Sequence, residues 1–187
     1  MSKKLSGIAA PISTPFVNGE VAYDRLRSNV QKYSETALAG FFALGSNGES
    51  MFLTESEKLK VLEVVLQEKA DHQIVMAGAG YESTRQTISF SNQVAEMGAD
   101  FVSILTPSYF KKRLTDEAMI GYYTDVADAI PIPLVAYNAP GFTGMTLTPK
   151  VVEIISHHPN VIGLKDTSKG NISTYLSVAG NDLKILS

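Results

Sequence analysis

The run Val161-Ile162-Gly163-Leu164-Lys165-Asp166-Thr167-Ser168 is a short apolar stretch that ends on a lysine and opens into a polar loop. Read as a strand, it alternates its side chains between two faces. Val161, Gly163 and Lys165 then share one face, and Ile162, Leu164 and Asp166 the other. An ammonium on a tight, glycine-bearing face is costly to desolvate, which favours the neutral amine. A neutral, sheltered lysine attacks carbonyls and can form a Schiff base. Taken alone, a strand-end lysine more often simply reaches solvent. Three other stretches therefore matter.

Gly45-Ser46-Asn47-Gly48-Glu49-Ser50 has two glycines three residues apart. They let the backbone approach a ligand, and successive N–H groups with the Ser46 and Asn47 side chains could cradle a small carboxylate. A plain glycine-rich turn leading into a helix fits the same letters. Thr106-Pro107-Ser108-Tyr109-Phe110-Lys111-Lys112-Arg113 offers the Tyr109 phenol, although an aromatic packing a loop is the commoner use of such a residue. Tyr137-Asn138-Ala139-Pro140-Gly141-Phe142-Thr143-Gly144 places Tyr137 at a strand mouth, where a phenol can move a proton; a core tyrosine with a satisfied hydroxyl is the alternative. His72, His157 and His158 have no ligand-like spacing and do not suggest a metal site. Asp71 and Asp166 have no evident carboxylate partner.

Seven short apolar runs must position these residues: 8–12, 40–44, 73–77, 101–105, 133–137, 161–165 and 183–186. Most begin roughly 30 residues after the one before, the length of a βα unit. Helical patterns fill the gaps. Apolar residues recur at helical spacing over 23–36, and capping boxes open at Thr54 and Ser83. Asp116 and Glu117 lie in the first turn after Thr115, and Thr148-Pro149 reads as a cap followed by proline at the first helical position. A shorter helix is expected over 171–179. Strand–helix alternation argues for a parallel α/β sheet. The first loop, Ser13 to Gly19, lacks the glycine fingerprint of a dinucleotide-binding sheet. Suggestive residues lie just past several strands, where a (β/α)8 TIM barrel keeps its site. One incomplete TIM-barrel domain over 1–187, with six to seven βα units, is the expected architecture.

Composition narrows the function classes. The 187 residues are 44% hydrophobic and 19% charged, ordinary for a globular domain, and a net charge of −3 gives no reason to expect nucleic acid or an anionic membrane as partner. There is no cysteine, which excludes disulfide and thiolate chemistry and suits a reducing compartment. The stretch Met1–Gly7 is polar and no apolar signal core follows it, so a cytoplasmic location is expected.

Together these stretches resemble the dihydrodipicolinate synthase / N-acetylneuraminate lyase family of class I aldolases, from residue 8 to the last residue. The resemblance implies a homotetrameric (β/α)8 barrel that needs no metal or organic cofactor. It makes Lys165 the lysine that forms an imine with pyruvate or a related 2-oxo acid, and Tyr137 the proton relay. Ser46 links that tyrosine to the outside, and Asn47 lies where many members have a threonine that holds the substrate carboxylate, beside Gly45 and Gly48. Tyr109 matches a tyrosine that reaches across a subunit interface. Partners are then a 2-oxo acid and an aldehyde.

Two departures from the pattern stand out. Members that make dihydrodipicolinate typically carry an arginine in the loop matching 141–144; here the position is Phe142, which cannot form a bidentate ion pair. The Ser46-Asn47 pair looks more like the 4-hydroxy-2-oxoglutarate aldolases of the family. The expected reaction is thus a pyruvate-dependent aldol cleavage or synthesis, with 4-hydroxy-tetrahydrodipicolinate synthase as the alternative. The second departure is length: the residues stop near the seventh strand, short of the about 250 of a full barrel. That makes a truncated, weakly stable chain, or a non-catalytic remnant that binds a ligand or partner, a further expectation.

Overall fold

Each of the seven expected strands forms within about one residue of its apolar run, the ordinary uncertainty of an element boundary. The computed structural model describes residues 4–180 and 183–187. Of the polar stretch Met1–Gly7, residues 1–3 therefore lie outside the described residues. Two compact units divide the chain, one formed by residues up to Gly78 with Val94–Phe101, the other by Ala79–Gln93 with the residues from Val102 onward.

In the first unit, β1 (Ala9–Pro11) is followed by a small hairpin, β2 (Phe16–Val17) and β3 (Glu20–Val21). The hairpin turns on Asn18 and Gly19, at φ +52° and +86°. Both central residues of a tight hairpin turn need positive φ, and Asn-Gly supplies it with little strain. The sequence reading had only a loop here, because two-residue strands leave no alternation to detect. Helix α1 (Tyr23–Ser34) leads to β4 (Gly40–Ala43), and α2 (Glu55–Glu68) to β5 (Ile74–Gly78). The parallel order is β1-β4-β5, with Ala9 opposite Gly40 and Gly40 opposite Ile74. The α2 capping box is complete: the Glu57 N–H donates to Thr54 Oγ1 and the Thr54 N–H to Glu57 Oε2. Leu26 and Val30 of α1 and Val61, Leu62, Val64 and Val65 of α2 are buried. An Arg27–Glu68 ion pair and a Gln31–Glu68 hydrogen bond join the two helices.

Helix α3 (Thr84–Glu96) contributes residues to both units. At its start the Ser83 hydroxyl accepts the Gln86 N–H at 3.3 Å and donates to Gln86 Oε1 at 3.0 Å, so the box expected there is recorded from one side. The second unit continues with β6 (Phe101–Leu105), α4 (Asp116–Ala129), β7 (Leu134–Asn138), the short α5 (Pro140–Thr143), α6 (Pro149–Ser156), β8 (Val161–Asp166), α7 (Ile172–Ala179) and β9 (Lys184–Leu186). Its strands are parallel in the order β6-β7-β8-β9. Thr115 and Thr148 cap α4 and α6 through their hydroxyls, which accept the N–H groups of Ala118 and Val151. β7 is buried along its whole length. Strands covered on both faces read as unbroken apolar runs rather than as alternation, which is why these were legible. Among the described residues, no helix is long and apolar enough to cross a membrane.

Candidate functional site

A β-bulge decides which residue stands beside Tyr137. Strands β7 and β8 begin in register with Leu134 opposite Val161, but Val135 then faces Gly163. Ile162 is the extra residue. Beyond it Ala136 faces Leu164, Tyr137 faces Lys165 and Asn138 faces Asp166. Without the bulge, Leu164 would stand opposite Tyr137, and Lys165 opposite Asn138. Bulges re-aim side chains in this way and are rare between parallel strands. The result is direct contact: Lys165 Nζ lies 4.1 Å from the centroid of the Tyr137 ring. The ring face attracts the ammonium. Tyr137 is buried and Lys165 half-buried, so the amine is partly sheltered rather than sealed from water. The alternation read from the sequence placed Lys165 and Tyr137 each at a strand end; the bulge that pairs them had no sequence signal.

The faces behind this pair carry a polar cluster that the sequence reading missed. Asn138 and Asp166 are 0% and 2% exposed, so their hydrogen bonds must all be found inside the protein. Asn138 Nδ2 donates to Asp166 Oδ1 at 2.8 Å and to the Tyr175 hydroxyl at 3.1 Å. Asn138 Oδ1 accepts the Leu147 N–H at 3.0 Å, and the Tyr175 hydroxyl donates to the Leu147 carbonyl at 2.7 Å. Asp166 also accepts from the Ser168 N–H at 3.1 Å and the Ser168 hydroxyl at 2.8 Å. The Asn138 carbonyl accepts the Thr167 N–H at 3.0 Å. The available signal was two polar residues directly after Tyr137 and Lys165, at the ends of otherwise apolar strands.

Burial, and then the Asp166 carboxylate, push the Tyr175 phenol up to about 12. Its folded value lies above the unfolded one near 10, so the folded state holds its proton longer. That contribution is whole below about pH 10 and is lost as pH rises through about 12. Tyr175→Phe should therefore show a shallower fall in urea midpoint between pH 9 and 11 than the parent, on the order of tenths of a molar. Equal slopes would place the phenol in solvent.

Gly45, Ser46, Asn47 and Gly48 lie together in one turn of the first unit, with Ser46–Gly48 a single 3-10 turn. It is bracketed by Leu44 at φ +59° and Glu49 at φ +52°, left-handed conformations that non-glycine residues adopt at a cost of about 1–3 kcal/mol each. Three packing constraints force this path. A Cβ on Gly45 would stand 2.8 Å from the Phe42 ring, and one on Gly78 only 2.1 Å from the Leu44 carbonyl oxygen. Thr14 Oγ1 donates to the Gly48 carbonyl at 2.7 Å. The Gly48 and Glu49 N–H groups donate to the Gly45 and Ser46 carbonyls, which spends them inside the turn. An anion there would meet the N–H groups of Ser46 and Asn47 and their side chains, a smaller cradle than the sequence suggested. Ser46 is half-buried and Asn47 exposed.

Tyr109 is 79% exposed and packs edge-on against Phe110 at 4.9 Å. Its loop is held from below. The Glu82 carboxylate accepts the Ser108 and Tyr109 N–H groups, each at 2.9 Å at its nearer oxygen, and the Ser108 hydroxyl at 3.3 Å. Phe142, in α5, is 71% exposed. His158 Nε2 lies 2.9 Å from Asp128 Oδ1.

A lysine and a tyrosine side by side at the ends of paired parallel strands can carry imine chemistry. The model of the dihydrodipicolinate synthetase family matches residues 4–187, and the chain belongs to that family. It is 34% identical over 168 residues to the 4-hydroxy-tetrahydrodipicolinate synthase of Staphylococcus epidermidis, covering 90% of this chain and 56% of that protein. It is 34% identical over 183 residues to the enzyme of the same name from Geobacter sulfurreducens, covering 97% and 62%. The chain thus spans about three fifths of these relatives. The crystal structure of dihydrodipicolinate synthase from Acinetobacter baumannii with pyruvate superposes with a TM-score of 0.91 at 26% identity, over 97% of this chain and 63% of that one. A catalytic-lysine mutant of the Ruminococcus gnavus sialic acid aldolase shares the fold, with a TM-score of 0.88 at 22% identity over 98% and 62%. The fold is accordingly part of a (β/α)8 barrel, as expected from the strand–helix repeat.

Proposed function

We propose that the chain carries the imine-forming centre of a pyruvate-dependent aldolase or lyase, with Lys165 as the nucleophile. The observation that carries this reading is the 4.1 Å approach of Lys165 Nζ to the Tyr137 ring at the strand ends. Neutral Lys165 Nζ adds to the carbonyl carbon of a 2-oxo acid, giving a carbinolamine. Its hydroxyl leaves as water once protonated, and the C=N bond forms. The protonated imine withdraws electrons from that carbon and so stabilises the enamine made when the C3–C4 bond breaks; the reverse, attack of the enamine on an aldehyde, is aldol synthesis. The Tyr137 phenol moves the proton at carbinolamine and aldol oxygens. The turn Gly45–Gly48 is assigned the substrate carboxylate through the Ser46 and Asn47 donors, and Tyr109 a place at a neighbouring copy's site in a homo-oligomer. The chemistry requires no metal or organic cofactor, and a cytoplasmic setting suits small 2-oxo acids. A single barrel domain is the matching domain assignment.

The test is intact mass after incubation with pyruvate and borohydride. Hydride adds to the imine carbon and a solvent proton to nitrogen, so the adduct becomes permanent and peptide mapping locates it. A pyruvate-derived adduct on the peptide containing Lys165 supports the reading; none on a folded chain overturns it and favours a ligand-binding remnant.

One observation favours a second reading, 4-hydroxy-tetrahydrodipicolinate synthase. Lys111 lies beside Gly144, two residues after Phe142, where a Cβ would stand 2.6 Å from Lys111 Nζ. That ammonium could hold a second substrate's carboxylate, as a point charge rather than a bidentate fork. Condensation of pyruvate with aspartate semialdehyde that weakens about tenfold in KM on Lys111→Ala would support it; cleavage of 4-hydroxy-2-oxoglutarate without condensation would support the first reading.

A further inference from the structure

Strand alternation sets Tyr137 and Lys165 on one face of β7 and β8, and Asn138 and Asp166 on the opposite one. The two pairs are consecutive residues of the same two strands. Whatever fixes Asn138 against Asp166 therefore fixes Tyr137 against Lys165. The bulge at Ile162 makes such a fastening necessary. A strand that has slipped one residue at its start can slip back, and that slip would exchange Lys165 for Leu164 beside Tyr137. Burial opposes it in part, since Ala136 of β7 and Leu164 of β8 are both 0% exposed. The side chain of Asn138 also opposes it. Its two N–H groups and its oxygen are committed to Asp166, Tyr175 and Leu147, and in the slipped register its strand partner would be Lys165.

We propose that Asn138 and Asp166 form a clasp on the far face of β7 and β8 that sets the register of the two strand ends and so holds Lys165 Nζ over the Tyr137 ring. Both are positioning residues. Neither lies on the face that carries Lys165 and Tyr137, and they act through the backbone of their neighbours. The partners of the clasp extend it to three further segments: Leu147 ahead of α6, Ser168 in the loop after β8 and Tyr175 of α7. Asn171 Nδ2 donates to Ser168 Oγ at 2.9 Å, which orients the hydroxyl that Asp166 accepts. The catalytic meaning of the clasp rests on the Schiff-base reading, but the position of the amine can be read without any substrate.

The experiment uses reductive methylation of the whole chain with 13C-formaldehyde. The Lys165 N-methyl protons, sitting over an aromatic ring, should resonate upfield of those of the other lysines, and Tyr137→Leu identifies the signal by abolishing the displacement. In Asp166→Ala and Asn138→Ala the upfield displacement should be lost, and in the unmethylated proteins the rate of borohydride trapping with pyruvate should fall about tenfold or more. Asp166→Asn, which keeps the acceptor toward Asn138 and offers a donor to Ser168, should restore both. A merely structural role would lower the melting temperature in all three variants without moving the methyl signal. Should the alanine variants fail to fold, Ser168→Ala removes only the 2.8 Å hydroxyl contact to Asp166 and should reduce the displacement partway. Folded clasp variants that keep the parent's methyl displacement overturn the proposal. If the parent traps no pyruvate, the Schiff-base reading fails alone, and the methyl signals still decide whether the clasp holds the amine.

Discussion

Lys165→Ala should leave no pyruvate adduct after borohydride and should lower aldol turnover by about 10^4-fold or more, the scale of losing a covalent nucleophile. Its stability should barely change. The amine is half-buried, and its contact with Tyr137 is a cation–π interaction worth about 0.5–1 kcal/mol at such a site. Lys165→Arg separates charge from nucleophilicity. The guanidinium can still lie over the ring, but it stays protonated and cannot attack a carbonyl. Both variants should therefore melt close to the parent and form no adduct. An adduct that persists in Lys165→Ala on another lysine would move the centre elsewhere and leave the Tyr137 contact as packing.

Asn138→Asp should destabilise the second unit by about 3–5 kcal/mol at pH 7, the scale of a buried charge left unpaired. The change replaces Asn138 Nδ2, which donates to Asp166 Oδ1 at 2.8 Å, by an oxygen. Two carboxylates would then face each other where neither reaches water. One must take a proton, so its value in the folded state rises above that in the unfolded state. Over the intervening pH range the folded state binds the extra proton, and stability grows as pH falls. Urea midpoints at pH 7 and pH 5 read this directly: the gap between parent and variant should be wide at pH 7 and narrower at pH 5. A variant as stable as the parent at both pH values would mean that the two side chains do not meet.

The sequence made the strands, the caps and the place of Lys165 near a strand end legible for a common reason: each is a local property. Apolar runs covered on both faces, Thr54 with Glu57, and Thr148 with Pro149 all declare themselves within a few residues. The features it concealed depend on pairing across distance. The bulge at Ile162 is defined only relative to β7, and the Asn138–Asp166 contact joins residues 28 positions apart. The left-handed Leu44 follows from Phe42 and from the approach of Gly78, neither of which a pattern search weighs. The short hairpin escaped because its strands are two residues long. Glu82 escaped because its partners, Ser108 and Tyr109, belong to a different loop.

The separation of the two faces of β7 and β8 also bears on how such a centre can change over generations. The groups that aim the amine point toward α6 and α7, whereas Phe142 and Tyr109 lie in exposed segments beyond the strand ends. Substitutions in those exposed segments alter what docks there without touching the residues that hold Lys165 in place. Loops carried on a fixed scaffold tolerate such turnover. One side of the strands is thus free to drift in what it admits, while the other is constrained as tightly as any hydrophobic core.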